Sequence, residues 1–239
     1  MLVSTKGIVL HRIKYADTSL IVNIFTEDFG TRSFMVKNAF SKKNKINYSH
    51  FVPLTLLDIT FYDKKTDILF LKEVSFRFPF RHTVFDPSRH SILVFYSEIL
   101  YKTLYHYGED RHLYQYLEKS IRELDTENTP PPDTHIRFML KLAQCLGFVP
   151  ENNYSEKNRY FHISGSSFAP YYFDNGEFLP GDASLYLKTL LENMDTPAER
   201  LPSKIIRNRL LHAMVRYFEI HIEGIKKIES IEIMAQILN

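Results

Sequence analysis

The sequence predicts an α+β fold: a small closed β-barrel in residues 1–80, then a helical domain in residues 81–239 with a short irregular or β insertion at 148–181. Three observations predict it. The first 80 residues break into five runs rich in β-branched and aromatic residues, with partial period-two alternation. Beyond Asp86-Pro87 apolar residues recur at helical spacing between capping and stop residues. Between 148 and 181 that spacing disappears, and Tyr160, Phe161, Phe168, Tyr171, Tyr172 and Phe173 crowd together with Asn-Gly turn chemistry.

The five runs are GIVLHRIKY (7–15), SLIVNIFT (19–26), TRSFMVKNAF (31–40), FVPLTLLDITFY (51–62) and TDILFLKEVSFRF (66–78). Ala16-Asp17-Thr18, Glu27-Asp28-Phe29-Gly30 and Asp63-Lys64-Lys65 are short breaks of hairpin type. The remaining break, about 41–50, is longer, polar and basic. Five strands with hairpins and one long loop suit the five-stranded oligonucleotide-binding (OB) barrel; an SH3-like barrel is the structural alternative. On a third strand reaching residue 40, Phe34 and Phe40 share parity and face one side while Lys37 faces the other. That side is either the barrel interior or a surface for bases.

Asp86 with Pro87 at the first helical position starts a helix that runs to Tyr107 and stops at Gly108. Asp110 caps the next, through about Leu124, and TENTPPPD at 126–133 is a stiff linker. Asp133 caps a helix through Leu146, with Gly147 as its stop. Helices resume at about 182–193 and 203–223, the latter with Ile206, Leu210, Leu211, Met214 and Phe218 on one face, and a last helix spans about 226–237.

Composition excludes several classes. At 44% hydrophobic and 24% charged, the chain reads as a folded soluble protein. No apolar run reaches the roughly 18–20 residues of a membrane span, and the start lacks a signal-peptide core, so a cytoplasmic location is expected. Cys145 is the sole cysteine, which excludes an intramolecular disulfide and a multi-cysteine zinc site. There is no phosphate-binding glycine loop, and Ser164-Gly165-Ser166-Ser167 lacks the spacing of a nucleophile elbow. His106 and His112 flank a turn, and His212 and His221 lie roughly 2.5 helical turns apart, on different faces. Tyr101, Tyr105, Tyr114 and Tyr116 fall at packing positions on helices. No enzyme, cofactor or metal is expected.

The net charge of +2 hides an asymmetry. Residues 1–80 hold 12 Lys and Arg against 7 Asp and Glu, a net of +5; the remainder is −3. Between Asp28 and Asp58 there is no acid but five basic residues, Arg32, Lys37, Lys42, Lys43 and Lys45. Such a stretch attracts a polyanion or is a solvated loop; it has no apolar face for a membrane surface. With Arg12 and Lys14 on the first strand, these seven residues are the candidate phosphate contacts, in a domain whose aromatic rings could stack bases.

The N-terminal run also carries Tyr15-Ala16-Asp17-Thr18-Ser19-Leu20-Ile21, then Phe25 to Gly30 in an F-T-x-[DE]-x-G pattern. Further on come LAQCLGFVP and the pair RYFEIHIEG and SIEIM, with Tyr217, His221, Gly224, Ser230 and Glu232. In this order the motifs resemble the bacterial RecO family of recombination mediators over nearly the whole chain. The resemblance implies an OB barrel, a helical domain and a non-enzymatic role in DNA repair near the nucleoid. Single- and double-stranded DNA would be bound, complementary strands annealed, and a RecA-type recombinase loaded with the help of RecR. A further partner would be the acidic, apolar-ended C-terminal tail of single-stranded DNA-binding protein (SSB), for which Arg137 and Lys141, four apart on one helix, are candidate docking residues. Many members carry a four-cysteine zinc module after the GFVP position. Here ENNYSEKNRY and YYFDNGEF stand in its place, so zinc is not expected, and aromatic packing with hydrogen bonds is expected to hold the insertion. A protein-only adaptor with an incidental basic loop and a metal-dependent nuclease are the alternatives.

Overall fold

The computed structural model describes residues 1–41, 43–83, 85–126, 128–196, 201–225 and 227–237. Contacts divide the chain into two compact units, Met1–Asn128 and Thr129–Ile237. The change from strands to helices falls near residue 80, as read from the sequence, but the first two helices are compact with the barrel.

In the first unit β1 (Leu2–Tyr15), β2 (Ser19–Thr26), β3 (Gly30–Val36), β4 (Leu56–Tyr62) and β5 (Ile68–Phe78) close a barrel in the order β1-β2-β3-β5-β4. The β3–β5 pair is parallel and the others antiparallel. This is the OB barrel. Its first strand begins five residues before the expected start because it serves two neighbours. Leu2–Ile8 pair with β4 and Gly7–Tyr15 with β2, with a register shift between Val9 and His11 that bends the strand. Val9, Val22, Ile24, Phe34, Phe51, Leu57, Ile59, Phe61 and Leu69 fill the interior.

The third and fourth strands are shorter than expected. β3 stops at Val36, and Lys37–Phe40 form a turn in which Asn38 takes a left-handed backbone (φ 51°) that asparagine tolerates. Phe34 and Phe40 therefore do not share a side: Phe34 is buried in the core, and Phe40 is 45% exposed. Before β4, Tyr48–Phe51 form a 3-10 turn capped by Asn47, whose side-chain oxygen accepts from the Ser49 N–H.

Helices α1 (Pro87–Leu104) and α2 (Arg111–Leu124) complete this unit. Asp86 caps α1 by accepting from the Ser88 and Arg89 N–H groups, and Asp110 caps α2 through the Leu113 N–H. The connection from β5 to α1 is fixed by Asp125, just past α2. Its buried carboxylate accepts from the N–H groups of Arg81, His82 and Thr83 and from the Thr83 hydroxyl, at 2.7–2.9 Å. Burial alone would raise its pKa; these bonds outweigh it and hold the carboxyl below the usual range. Buried Arg89 donates to the carbonyl of Leu124 at the end of α2 and to those of Thr126 and Asn128 beyond it.

The second unit contains α3 (Thr134–Cys145), a hairpin of β6 (Tyr160–His162) and β7 (Ser167–Ala169), α4 (Gly181–Glu192), α5 (Lys204–His221) and α6 (Ser230–Ile237). Gly147 ends α3 as expected, at φ 82°, with the Phe148 N–H on Ala143 and its own N–H on Gln144. Asp133 departs from expectation: it makes no cap bond, because its buried carboxylate faces inward to Arg137 Nε (2.8 Å) and the Tyr186 hydroxyl (2.9 Å). The last helix starts at Ser230 instead of 226.

Aromatic rings hold the insertion. Phe161 packs edge-on against Phe168 at 5.3 Å, His162 stacks on Phe178 at 4.5 Å, and Asn153 bonds the Phe168 backbone twice. From α5, the Tyr217 hydroxyl donates to the Phe148 carbonyl and shares a 2.6 Å bond with Ser166, while His221 Nε2 meets the Ile163 carbonyl at 3.1 Å. The Tyr217 and His221 motif residues, four apart and thus on one helix face, clamp the insertion.

Candidate nucleic-acid interface

Five of the seven candidate residues gather at one mouth of the barrel. Register sets Lys14 beside Leu20 and Leu20 beside Val36, so the ends of β1, β2 and β3 lie together. Loop 37–51 covers this mouth, with Ala39, Ile46 and Phe51 packed into the core. Asparagine side chains cross-link the loop. Asn44 Nδ2 donates to the Lys37 and Asn38 carbonyls, its Oδ1 accepts from the Ile46 N–H, and Asn47 Nδ2 donates to the Asn44 carbonyl. The Tyr48 N–H reaches the Ala39 carbonyl at 2.9 Å, and Arg12 Nη1 donates to the Tyr48 carbonyl at 2.9 Å.

This scaffold holds two rings outward. Phe40 and Tyr48 stack with centroids 6.0 Å apart and planes 24° apart, and Lys14 Nζ lies 6.0 Å from the Phe40 centroid. Lys37 Nζ lies 5.3 Å from the centroid of Phe70 on β5, which pairs with Met35 of β3. Lys43 and Lys45 are exposed on the loop. Arg32 is exposed too, but four residues before Val36, roughly 13 Å down the strand, and so stands apart from the group. Lys42 lies outside the described residues.

Among the described residues, Arg12, Lys14, Arg32, Lys37, Lys43 and Lys45 form no salt bridge. On other parts of the barrel Lys6 holds Glu27 at 2.9 Å, and Arg77 holds Asp58 and Glu118 at 3.1 and 3.0 Å. Five of these cations, Arg12, Lys14, Lys37, Lys43 and Lys45, thus stand at the loop-covered mouth without a salt bridge, available to phosphates.

Tyr48 and Phe70 also stand exposed beside these cations, and Lys64 and Lys65 of the β4–β5 turn are exposed as well. Asp63 and Asp67 flank those lysines and hide them from any search for acid-free stretches. The alternation of buried Leu69 with exposed Ile68 and Phe70 was the available signal for Phe70.

The two docking candidates sit on α3 in the second unit. Arg137 bonds Asp133 and donates through Nη1 to the Asn193 carbonyl at 2.8 Å, and Lys141 pairs with Asp195 at 3.0 Å. The residues at the zinc-module position do not fit that metal. Segment 148–181 has no cysteine, its aromatic side chains pack on one another, and among the described residues no three His, Cys, Asp or Glu side chains form a metal-holding group. No described helix is long and apolar enough to cross a membrane.

Barrel, loop and helical unit define an OB-fold protein with an appended helical domain. The model of the recombination protein O N-terminal domain matches residues 1–80, and that of its C-terminal domain residues 84–227. The DNA repair protein RecO of Phocaeicola vulgatus is 31% identical, and those of Flavobacterium psychrophilum and Porphyromonas gingivalis are 29% and 28% identical, each across the whole of both chains. The chain belongs to the RecO family of DNA repair proteins.

Proposed function

We propose that this protein is a non-enzymatic recombination mediator whose barrel holds DNA by its phosphates. It binds single and double strands, anneals complementary strands and, with RecR and SSB, loads a RecA-type recombinase. The observation that carries the DNA contact is the group of cations without salt bridges at the barrel mouth, Arg12 and Lys14 on β1 and Lys37, Lys43 and Lys45 on a loop cross-linked by its asparagines. Family membership supports the repair role. The helical unit is assigned to partner docking, with the SSB tail and RecR as partners. Because Arg137 and Lys141 already hold Asp133 and Asp195, we assign them to the scaffold of that unit and not to the tail.

The test is titration with a labelled single-stranded oligonucleotide at several salt concentrations. Affinity should fall by roughly 0.7 log units per log unit of salt for each phosphate contact. Lys42→Glu, Lys43→Glu and Lys45→Glu together should weaken binding and flatten that slope. Unchanged affinity and slope would leave the protein-only adaptor as the better account. Annealing of SSB-coated complementary strands, with and without this protein, tests the mediator role separately.

A further inference from the structure

A sheet that turns one side to water carries polar residues on that side. On this barrel the outer side is covered in part. His11 stacks on Tyr101 of α1 with centroids 4.1 Å apart, and Phe25 packs against Tyr107 and Tyr114 at 6.2 and 6.1 Å. Beyond His11 on β1 the outer side is open, yet it stays apolar. Register joins Ile13 to Ile21, Ile21 to Met35 and Met35 to Phe70. The Phe61–Leu71 pair brings Tyr62 beside Phe70, and Tyr62 pairs with Leu2. All five strands of the barrel thus contribute to one unbroken apolar ridge, roughly 24 Å long at the usual strand spacing. Along it Leu2, Ile13, Tyr62 and Phe70 are 43–52% exposed.

The two flanks of the ridge differ. One is a second row joined in register, His11, Asn23, Ser33 and Ile68, without Asp, Glu, Lys or Arg. The other carries Lys37 and Lys72, two residues past Met35 and Phe70. We infer that the ridge is an interface between two copies of this chain, related by a two-fold axis along it. Its exposed side chains present on the order of 500 Å² of contiguous apolar surface, a size that marks an interaction site. With the flanks it approaches the roughly 800 Å² that a standard interface buries on each partner. Charge selects the occupant. An axis along the ridge sets Phe70 on Phe70 and Met35 on Met35, and turns the lysine flank of each copy toward the uncharged flank of the other. Like charges are then kept apart, whereas an acidic partner would find cations on one side only. A dimer of this kind carries two loop-covered mouths and can hold two strands at once, a consequence that rests on the DNA role proposed above; the association itself does not.

Sedimentation equilibrium of the full chain without DNA tests the interface. Reversible dimers should form in the micromolar range and tighten as salt screens the two positive barrels. Phe70→Gln and Met35→Gln should each weaken the dimer about tenfold, and Lys72→Gln on the flank by less than about twofold. Ile21→Thr keeps a β-branched side chain and should weaken it as well, which covers the case of a glutamine that disturbs its strand. A monomer at every concentration up to a few hundred micromolar overturns the interface, as does a dimer that all three ridge variants leave intact. A dimer that dissolves in salt or after nuclease treatment is bridged by nucleic acid, and this too overturns it. No DNA is present, so the interface can fail while the DNA role stands, and the oligonucleotide titration above can fail while the interface stands.

Discussion

Gly30 and Gly108 meet backbone to backbone: a Cβ on Gly30 would stand 2.5 Å from the Gly108 carbonyl carbon and 2.5 Å from the Tyr107 oxygen. The β2–β3 turn is therefore seated against the turn between α1 and α2. Thr31 secures it, its N–H on the Tyr107 carbonyl at 2.9 Å and its hydroxyl on that of Leu104. Arg111 adds an ion pair to Asp28 at 2.9 Å.

The two glycines are not equivalent. Gly30 has φ 66°, and its Cβ direction is filled; a Cβ on Gly108 would meet nothing within 4 Å. Gly30→Ala combines left-handed strain with a clash against backbone, and on the order of 3 kcal/mol of stability should be lost. Gly108→Ala should change stability by less than about 1 kcal/mol. Urea denaturation of both variants checks the difference.

Asp125 should behave as a structural carboxylate with unequal oxygens. Oδ1 serves His82 and both groups of Thr83, and Oδ2 serves Arg81 alone. Asn can keep its oxygen on the Oδ1 side, so Asp125→Asn should cost about 1 kcal/mol and Asp125→Ala about 3 kcal/mol. Because the folded carboxyl titrates below its ordinary value, its stabilisation is complete above that value and is lost as pH falls through the lowered one. In Asp125→Asn this acid-side loss should disappear, which denaturation between pH 5 and about 2.5 would show.

His135 on α3 makes the second unit sensitive at milder pH. Burial is the main cause that lowers its pKa from 6.5 to about 4; Asp133 opposes the shift and Arg207 adds to it. The folded imidazole stays neutral where the unfolded one takes a proton. Stability should therefore decline as pH falls from about 6.5 to 4, by a total on the order of 3 kcal/mol. His135→Gln cannot titrate, so its unfolding midpoint should be nearly flat across that window. Equal slopes for wild type and variant would rule out His135 as the source.

Much of this architecture was legible in the chain because it is written in local chemistry. Asp86 and Asp110 cap the helices they precede, and Gly147 stops α3, since caps need only neighbours in sequence. What could not be read depends on distant partners. Asp133 has the same local setting as a cap, yet Arg137 and Tyr186 draw its carboxylate inward. Phe40 has the parity of Phe34, and one left-handed asparagine sends it outside. The basic loop was visible as charge; its pairing with Phe70 came from the parallel β3–β5 contact, which joins residues far apart in the chain.

Arg12 separates charge from positioning at the site. Its guanidinium faces the loop, with Nη1 on the Tyr48 carbonyl, so it sets where the Tyr48 ring stands as well as adding positive potential. Arg12→Ala removes both effects; amide exchange should quicken across 44–48, and DNA affinity should fall. Arg12→Lys keeps the charge but replaces a planar fork with a compact ammonium that holds a carbonyl less firmly. The Lys variant should keep the wild-type salt slope and lose about fivefold in single-strand affinity, the size of one partly exposed hydrogen bond. In combination with Tyr48→Trp, it should also show weaker quenching by a thymine oligonucleotide. Full affinity in Arg12→Lys would mean that Arg12 acts through charge alone.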